Sequence, residues 1–175
     1  MMKILIWTAV GVAVFLAVCG LFGCTSVPST RDIPVVRKFD AVRYMGTWHE
    51  IARLPKWFER GLDKVTATYA LEDGTLKITN RGWRDGEESV STAVGHFAGP
   101  SDEGAFRISF FRPFYGDYRI IWLSPEYDLA LVTGEDRSSL WILARDKDLP
   151  AERRDMLVKM ASDWGFDASK LEYPE

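Results

Sequence analysis

The stretch "YMGTWHEIARLP", residues Tyr44 to Pro55, opens the folded part of the chain and governs how the rest is interpreted. A glycine and a tryptophan lead into a run that predicts a β-strand, in which residues i and i+2 share a face. A tryptophan at this place packs in a core, lines a ligand site or contacts a partner. The sequence downstream has to discriminate among these three roles.

Downstream of this strand the sequence is punctuated like an antiparallel β protein. The segment "KVTATYALEDGTLKITNRGW", residues 64–83, places a DG dipeptide between two β-rich runs, which indicates a tight hairpin. Further β-rich runs follow, separated by short turns: "SVSTAVGHFA", "GAFRISFF", "DYRIIWLS", "YDLALVTG" and "SSLWILAR". About eight strands at this spacing predict a sandwich or an up-and-down barrel.

The stretch "KDLPAERRDMLVKMASDWGF", residues 147–166, predicts one helix near the C-terminus. Asp148 is the expected N-cap, Pro150 suits the first turn, and Gly165 is the expected stop. Apolar residues recur at the spacing of one helix face: Leu157, Met160, Ala161 and Trp164. We expect this face to pack on the sheet.

Residues 1–23 predict a secretory signal peptide. A positive start at Lys3 precedes the apolar run "ILIWTAVGVAVFLAV", and "LFGC", Leu21 to Cys24, resembles a bacterial lipobox. The alternative is an uncleaved transmembrane anchor, because the run is nearly long enough to span a bilayer. We expect lipid attachment at Cys24. Residues 24–39 are then the lipidated cysteine and a tether, since "TSVPSTRDIPVVRKF" has two prolines and no sustained period.

Composition excludes several other classes of protein. The chain has 175 residues, a formal net charge of −3 and two cysteines, Cys19 and Cys24. A mildly acidic chain without a basic run is a poor candidate for nucleic acid binding. Because Cys19 leaves with the signal peptide, the folded part must be stabilised by its core, without a disulfide of its own. We predict one domain over residues 40–175, with no metal and no cofactor.

The segments "GTWHEIARLP", "FERGL" and "VTATY", together with the ending "WILAR…GFD", resemble the lipocalin family. The similarity is closest to the bacterial outer-membrane lipocalins, which carry a lipobox, and it covers nearly the whole mature chain. It implies an all-β fold, an eight-stranded antiparallel up-and-down barrel with one C-terminal α-helix packed on it and a cup open at one end. The family's Thr-Asp-Tyr motif is replaced here by "SPEYDLALV", where Glu126 and Tyr127 stand in.

The resemblance also assigns a role to the first tryptophan. In the family it lies across the closed end of the barrel under an arginine of the last strand, and Trp48 and Arg145 hold those positions here. A guanidinium over an indole face is a cation–π contact of about 0.5–2 kcal/mol. Gly46 lets the chain turn into the barrel. We therefore interpret Gly46, Trp48 and Arg145 as a structural plug.

Alternation in the family's register predicts which side chains line the cup. They are mostly apolar or aromatic, which suits an acyl chain with few polar anchors. In "DYRIIWLS" two inward sets stay open, Tyr118/Ile120/Trp122 and Arg119/Ile121/Leu123. The predicted ligand-binding residues are Glu50, Ala52, Ala67, Tyr69, Ile78, Asn80, Ala93, Gly95, Phe97, Phe106, Ile108, Phe110, Ala130, Val132, Ser139 and Trp141. Val65, Leu76 and Leu143 fall on the same inner faces.

Small residues in this set favour a hollow barrel over one filled by side chains. They are Ala67, Ala93, Gly95 and Ala130. Two aromatic loops lie at the open end. The first, "LPKWFERGLDK", is expected to touch a membrane or to guard the mouth, and the second, "FFRPFYGDY", to close the same mouth or to contact a partner. The first loop packs on its own barrel in the alternative interpretation.

A hollow apolar cup predicts binding, storage or transport of a fatty acid or a lysophospholipid. The lipobox places it at the outer membrane of a Gram-negative bacterium, held on the periplasmic face by the lipid on Cys24. We predict no catalytic residue, because alternation puts His49 and His96 outside and no nucleophile motif is present. Two alternatives remain: an enzyme acting on a lipid with Glu50 as general acid or base, and a structural lipoprotein with a filled barrel. The sequence leaves open whether the protein is a homodimer.

Overall fold

The computed structural model describes residues 26–174, so the predicted signal peptide and Cys24 lie outside the described residues. Two helices, α1 (Ala41–Tyr44) and α2 (Ala151–Asp163), flank the sheet in sequence, and a short 3-10 helix (Ala168–Lys170) follows α2. The strands are β1 (Gly46–Arg53), β2 (Asp63–Glu72), β3 (Thr75–Arg84), β4 (Glu87–Phe97), β5 (Ala105–Phe111), β6 (Phe114–Leu123), β7 (Leu129–Thr133) and β8 (Leu140–Ala144).

The eight strands close into one antiparallel barrel in chain order, with β8 pairing back on β1. This confirms the predicted up-and-down barrel. The DG dipeptides make two of the two-residue hairpins: Asp73 and Gly74 have φ of 48° and 75°, and Asp85 and Gly86 have φ of 55° and 83°. Such left-handed pairs match the twist of the flanking strands, which is why DG predicts hairpins well.

A β-bulge in β1 reverses the alternation that the sequence predicts. The register with β8 shifts between Glu50 and Ala52, so that Ala52 pairs with Ile142 on the outer face and Arg53 with Trp141 on the inner face. One extra residue moves every later side chain to the other face. The prediction that Ala52 lines the cup is therefore wrong, and Arg53 turns inward instead.

A second bulge explains why neither register of β6 could be chosen from the sequence. Tyr118 and Ile120 belong to the core inside the barrel, and Ile121 belongs to the core outside it. The register with β7 then shifts between Ile120 and Trp122, after which Leu123 packs against the inner core. Each of the two predicted inward sets is thus correct for part of the strand.

Helix α2 covers the outer face of the barrel, as predicted. Leu157 and Ala161 are fully buried in the outer core, and Met160 and Trp164 pack against it. Pro150 itself occupies the N-cap position without a side-chain cap, so the helix begins later than expected from a cap at Asp148, and that prediction is wrong. The chain leaves the helix at Gly165, whose φ of +82° favours glycine.

The segment predicted as a tether packs on the barrel from Thr30 to Phe39, and we call it the strap. Thr30 is fully buried, and Ile33 and Phe39 are 3% and 4% exposed. The backbone N–H of Val36 donates to the carbonyl oxygen of Ile120 at 2.9 Å. The strap follows the barrel as irregular backbone held by individual hydrogen bonds. Because it is neither a helix nor a regular strand, its sequence shows no period. No helix among residues 26–174 is long and apolar enough to cross a membrane.

Candidate ligand site

The closed end of the barrel is sealed by Arg145 and Trp48. The Arg145 guanidinium lies 4.0 Å from the centre of the Trp48 ring, and Trp48 is fully buried. The same guanidinium donates hydrogen bonds to the carbonyl oxygens of Tyr44 (3.0 Å), Met45 (2.7 Å) and Thr47 (2.8 Å). A half-buried guanidinium over an indole, with three hydrogen bonds to backbone carbonyls, is a stabilising structural contact.

Gly46 fits against this contact because it has no side chain. Its φ is +95°, and a Cβ added there would lie 3.2 Å from Nη1 of Arg145. Both the backbone conformation and the close approach favour glycine at this position.

Three tyrosines form the floor of the ligand site above Trp48. The Tyr44 hydroxyl lies 2.7 Å from the Tyr118 hydroxyl, which donates to the Tyr69 hydroxyl at 2.8 Å. Burial raises the pKa of all three phenols, so they stay protonated and hydrogen-bonded to one another. Tyr69 and Tyr118 face the cavity, whereas Trp48 does not reach it.

The closed half of the barrel is filled, which corrects part of the predicted cup. Ala93, Phe97, Phe106 and Ala130 belong to the inner core with the tyrosines and do not line the cavity. A Cβ on Gly95 would lie 3.0 Å from its neighbours, so no space is left there either. Aromatic rings occupy this half of the barrel, such as those of Phe97 and Phe106 on the paired strands β4 and β5, with 4.7 Å between ring centres.

The open half of the barrel holds a cavity of about 100 Å³. Nine of the sixteen predicted ligand-binding residues line it: Glu50, Ala67, Tyr69, Ile78, Asn80, Ile108, Phe110, Val132 and Trp141. Val65 and Leu143 line it as well. Ser139 does not, because β8 starts only at Leu140 and the Ser139 side chain lies beside Gly134 in the preceding turn.

Six cavity residues are absent from the predicted ligand-binding set. Val65 and Leu143 are predicted on the same inner faces, and Tyr118 belongs to one of the two sets left open for β6. Phe58, Glu59 and Asp117 are not predicted to face inward. Phe58 and Glu59 belong to the loop between β1 and β2, residues 54–62, which we call the mouth loop. A loop has no alternation from which its inward side chains can be inferred. Asp117 and Tyr118 lie on β6, for which alternation in the sequence left two registers open.

A wider groove at the rim continues the cavity outward. It has a volume of about 660 Å³ and shares five residues with the cavity: Phe58, Glu59, Val65, Asn80 and Phe110. Trp57, Leu62, Val90 and Phe111 add apolar surface at its outer part. A cavity of about 150 Å³ holds one benzene molecule. The inner cavity is smaller and therefore takes only the end of an acyl chain, and the groove has room for the rest of a long chain.

Arg53 holds the mouth loop onto the barrel. Its Nη1 forms an ion pair with Glu50 Oε1 at 2.6 Å, and its Nη2 donates to the carbonyl oxygens of Glu59 (2.9 Å) and Leu62 (3.2 Å). Burial raises the pKa of the Glu50 carboxyl, and the Arg53 guanidinium opposes that rise. The loop that roofs the cavity is thus fixed by a residue that strict alternation from Trp48 would place on the outer face.

Glu59 places a titrating carboxyl at the mouth. Burial and the neighbouring Glu50 raise the pKa of Glu59 to about 7, although the Trp141 Nε1 donates to its carboxylate at 3.3 Å. Asp117, the third acidic residue of the lining, is paired with Arg107 at 2.6 Å. Two of the three carboxyl groups of the lining are therefore paired with arginines, and Glu59 is the one that lies at the mouth without such an ion pair.

Comparison with known proteins places this barrel in a family. The family described as a Lipocalin-like domain matches residues 39–175. The chain is a lipocalin. The outer membrane lipoprotein Blc of Escherichia coli K12 is 44% identical over 173 residues, 97% of this lipocalin and 96% of that protein. The Blc of Vibrio cholerae is 36% identical over 167 residues, 92% and 96% of the two chains.

Solved structures agree on the fold. Insecticyanin of the tobacco hornworm Manduca sexta superimposes on this lipocalin with a TM-score of 0.69 over 86% of this chain and 87% of that one. The two are 20% identical, so the likeness shows the barrel and its helix but says nothing of the ligand.

The two histidines of this lipocalin lie away from the cavity. Neither His49 nor His96 lines it, and the His96 ring packs 5.3 Å from the Tyr115 ring. Among residues 26–174 no group of three His, Cys, Asp or Glu side chains is placed to hold a metal ion.

Proposed function

We propose that this lipocalin binds one single-chain lipid, a fatty acid or a lysophospholipid, in the cavity and the rim groove. The supporting observation is the continuous apolar path from the tyrosine floor to the rim, formed where the cavity and the groove share five lining residues. The chain end lies against Tyr69 and Val132, and the remainder follows the groove past Phe58 and Phe110. The polar head stays at the outer end of the rim groove.

The energetics of such a site suit reversible binding. Each buried methylene contributes about 0.8 kcal/mol, so a chain of about 16 carbons gains about 12 kcal/mol at most. Ordering the chain and the mouth loop costs several kcal/mol of this. Dissociation constants from below micromolar to micromolar follow, without any covalent or catalytic step.

Titration calorimetry with saturated acids and lysophospholipids of about 8 to 20 carbons tests the proposal. Affinity is expected to rise with chain length while added methylenes enter the groove, then to level off once the chain passes the rim. Affinity that does not depend on chain length, or no binding by a delipidated sample, would support the structural lipoprotein with a filled barrel instead.

We further propose that the lipocalin works at the outer membrane, anchored on its periplasmic face by lipid on Cys24. The "LFGC" lipobox and the relatives named outer membrane lipoprotein support this. A multiply acylated cysteine meets the need for more than one membrane signal. Cys24→Ser is expected to give unprocessed or mislocalised precursor in fractionated cells. Wild-type amounts in the same membrane fraction would contradict the anchor.

The ion pair of Glu50 supports a binding protein rather than a lipid-cleaving enzyme. Its carboxylate is engaged by Arg53 at 2.6 Å, which lowers its value as a general base. Incubation with a lysophospholipid is expected to return the lipid intact. Released fatty acid that disappears in Glu50→Gln would favour the enzyme.

A further inference from the structure

Exposed apolar side chains are concentrated at the open end of the barrel. Among the described residues eleven large hydrophobic side chains are exposed, and seven of them surround the mouth: Trp57, Phe58, Trp83, Val90, Phe110, Phe111 and Phe114. Three of these are the most exposed: Trp57 at 85%, Phe111 at 81% and Phe114 at 78%. We call these seven residues the rim cluster. A concentration of exposed apolar side chains of this kind marks a surface that meets a partner or a membrane.

The N-terminal end of the described chain lies at the same end of the barrel. The backbone N–H of Arg137 donates to the carbonyl oxygen of Pro28 at 2.9 Å, in the turn between β7 and β8. Lys56 of the mouth loop donates to the Ser138 hydroxyl in that turn at 3.2 Å. Pro28 is therefore held beside the mouth, not beside the plug.

The sequence leaves little room between Pro28 and the proposed anchor. Cys24 precedes Pro28 by four residues, which span at most about 14 Å when fully extended. Lipid on Cys24 would therefore hold the open end, and not the closed end, close to the bilayer. This step rests on the proposed anchor.

We infer that the rim cluster is a membrane-docking surface, which inserts into a phospholipid bilayer and turns the mouth of the barrel toward it. Aromatic side chains suit the boundary between acyl chains and head groups. Charges of both signs accompany the cluster, with exposed Arg60 and Arg112 against Asp63 and Asp85. Binding to the bilayer is consequently driven by burial of the apolar side chains and not by net charge, so it does not require anionic lipid.

Docking in this orientation deepens the proposed function. The rim groove, which Trp57 and Phe111 help to line, would open onto the bilayer rather than onto water. A single-chain lipid would then pass between membrane and barrel without exposing its chain to solvent, which would otherwise cost about 0.8 kcal/mol per methylene.

Fluorescence quenching by brominated lipid tests the docking on the complete acylated protein. The protein is reconstituted in phosphatidylcholine vesicles that contain phosphatidylcholine brominated on its chains, and the emission of Trp57 is taken as the difference between wild type and Trp57→Phe. More than half of this emission is expected to be quenched. Vesicles in which a fifth of the lipid is phosphatidylglycerol are expected to give the same quenching.

Two matched double variants separate docking from binding of lipid in the groove. Trp83→Ser/Phe114→Ser removes rim side chains that line neither the cavity nor the groove and is expected to reduce Trp57 quenching at least threefold. Val42→Ser/Met156→Ser removes exposed apolar side chains elsewhere, on α1 and α2, and is expected to change nothing.

The contrary outcomes are equally specific. Absence of quenching of Trp57 in the wild type would overturn the docking surface. Full quenching of Trp57 in Trp83→Ser/Phe114→Ser would also overturn it, because lipid would then only fill the groove. Quenching that appears only with phosphatidylglycerol would overturn apolar docking. Disulfide-linked pairs formed by Phe114→Cys on oxidation by oxygen in the absence of vesicles would assign the cluster to a second copy. Failure of the proposed lipid binding would appear separately, in calorimetry, and failure of the anchor in the mass of the purified protein.

Discussion

The Arg53 guanidinium and the Glu50 carboxylate form an ion pair of 2.6 Å with only 3% and 6% of their side chains exposed. Glu50 lines the cavity, while Arg53 reaches from β1 to the mouth loop and to the Glu172 carboxylate at 3.3 Å. The pair thus links the wall of the ligand site, its roof and the C-terminal segment. A buried pair of this kind costs more to break than to replace as a whole.

Arg53→Met is expected to lower the free energy of unfolding by about 3–5 kcal/mol, because it leaves Glu50 buried without a partner. The measurement is denaturant unfolding near neutral pH. Glu50→Leu/Arg53→Met is expected to lose less than Arg53→Met alone, since the uncompensated charge is gone. Arg81→Met breaks an exposed pair with Glu88 and serves as the control, at about 1 kcal/mol or less. Equal losses in Arg53→Met and Arg81→Met would contradict this account of the pair.

Glu59 makes stability depend on pH. Its pKa is raised from 4.5 to about 7 in the folded protein, so between those values the folded state binds more protons than the unfolded chain. The stabilisation is complete below about pH 4.5 and is lost as pH rises through 7. Glu59→Gln is expected to remove a decline of about 2–3 kcal/mol between pH 5 and 8. The exposed Glu126→Gln is the control, and a decline that persists unchanged in Glu59→Gln would refute the assignment.

The sequence predicts the parts of this fold that depend on local chemistry. The DG dipeptide at Asp73 favours the left-handed turn that a hairpin needs, and the spacing of Leu157 and Ala161 defines the buried face of α2. Both signals act over a few residues and are independent of the rest of the chain.

The errors about the site arise where long-range packing overrides alternation. The bulge in β1 sends Ala52 outward and Arg53 inward, and nothing local in "HEIAR" marks it. Ala93 and Ala130 are small, but whether a small residue leaves a hollow depends on the rings that face it from other strands. The mouth loop has no period at all, so Glu59 emerges as a lining residue only from the structure.

Trp48→Ala is expected to lower the free energy of unfolding by about 3–5 kcal/mol, as for an aromatic side chain truncated in a packed core. Arg145→Ala is expected to cost less, through its cation–π contact and its donors to the carbonyls of Tyr44 and Met45. Because the two side chains touch, the double variant is expected to lose less than the sum of the single ones. Additive losses in denaturant melts would show that the contact contributes little.

Ala67→Trp tests whether the cavity holds the end of the ligand. Ala67 lines the cavity above the tyrosine floor and pairs with Asn80 across β2 and β3. An indole there would fill a space of about 100 Å³ while the closed half of the barrel stays packed. Affinity for long-chain acids is expected to fall at least tenfold, because the chain end loses its place and several methylenes return to water.

Ala70→Trp is the matched control on the same strand. Ala70 pairs with Lys77 and falls on the outer face, since Ala67 and Tyr69 face inward. It is expected to bind as tightly as wild type, and circular dichroism on both variants checks that the barrel is intact. If a folded Ala67→Trp variant binds acids of every length as well as Ala70→Trp does, the chain end does not enter the cavity. The ligand would then lie in the rim groove alone, where shortening the acid removes contacts with Phe58 and Phe110 first.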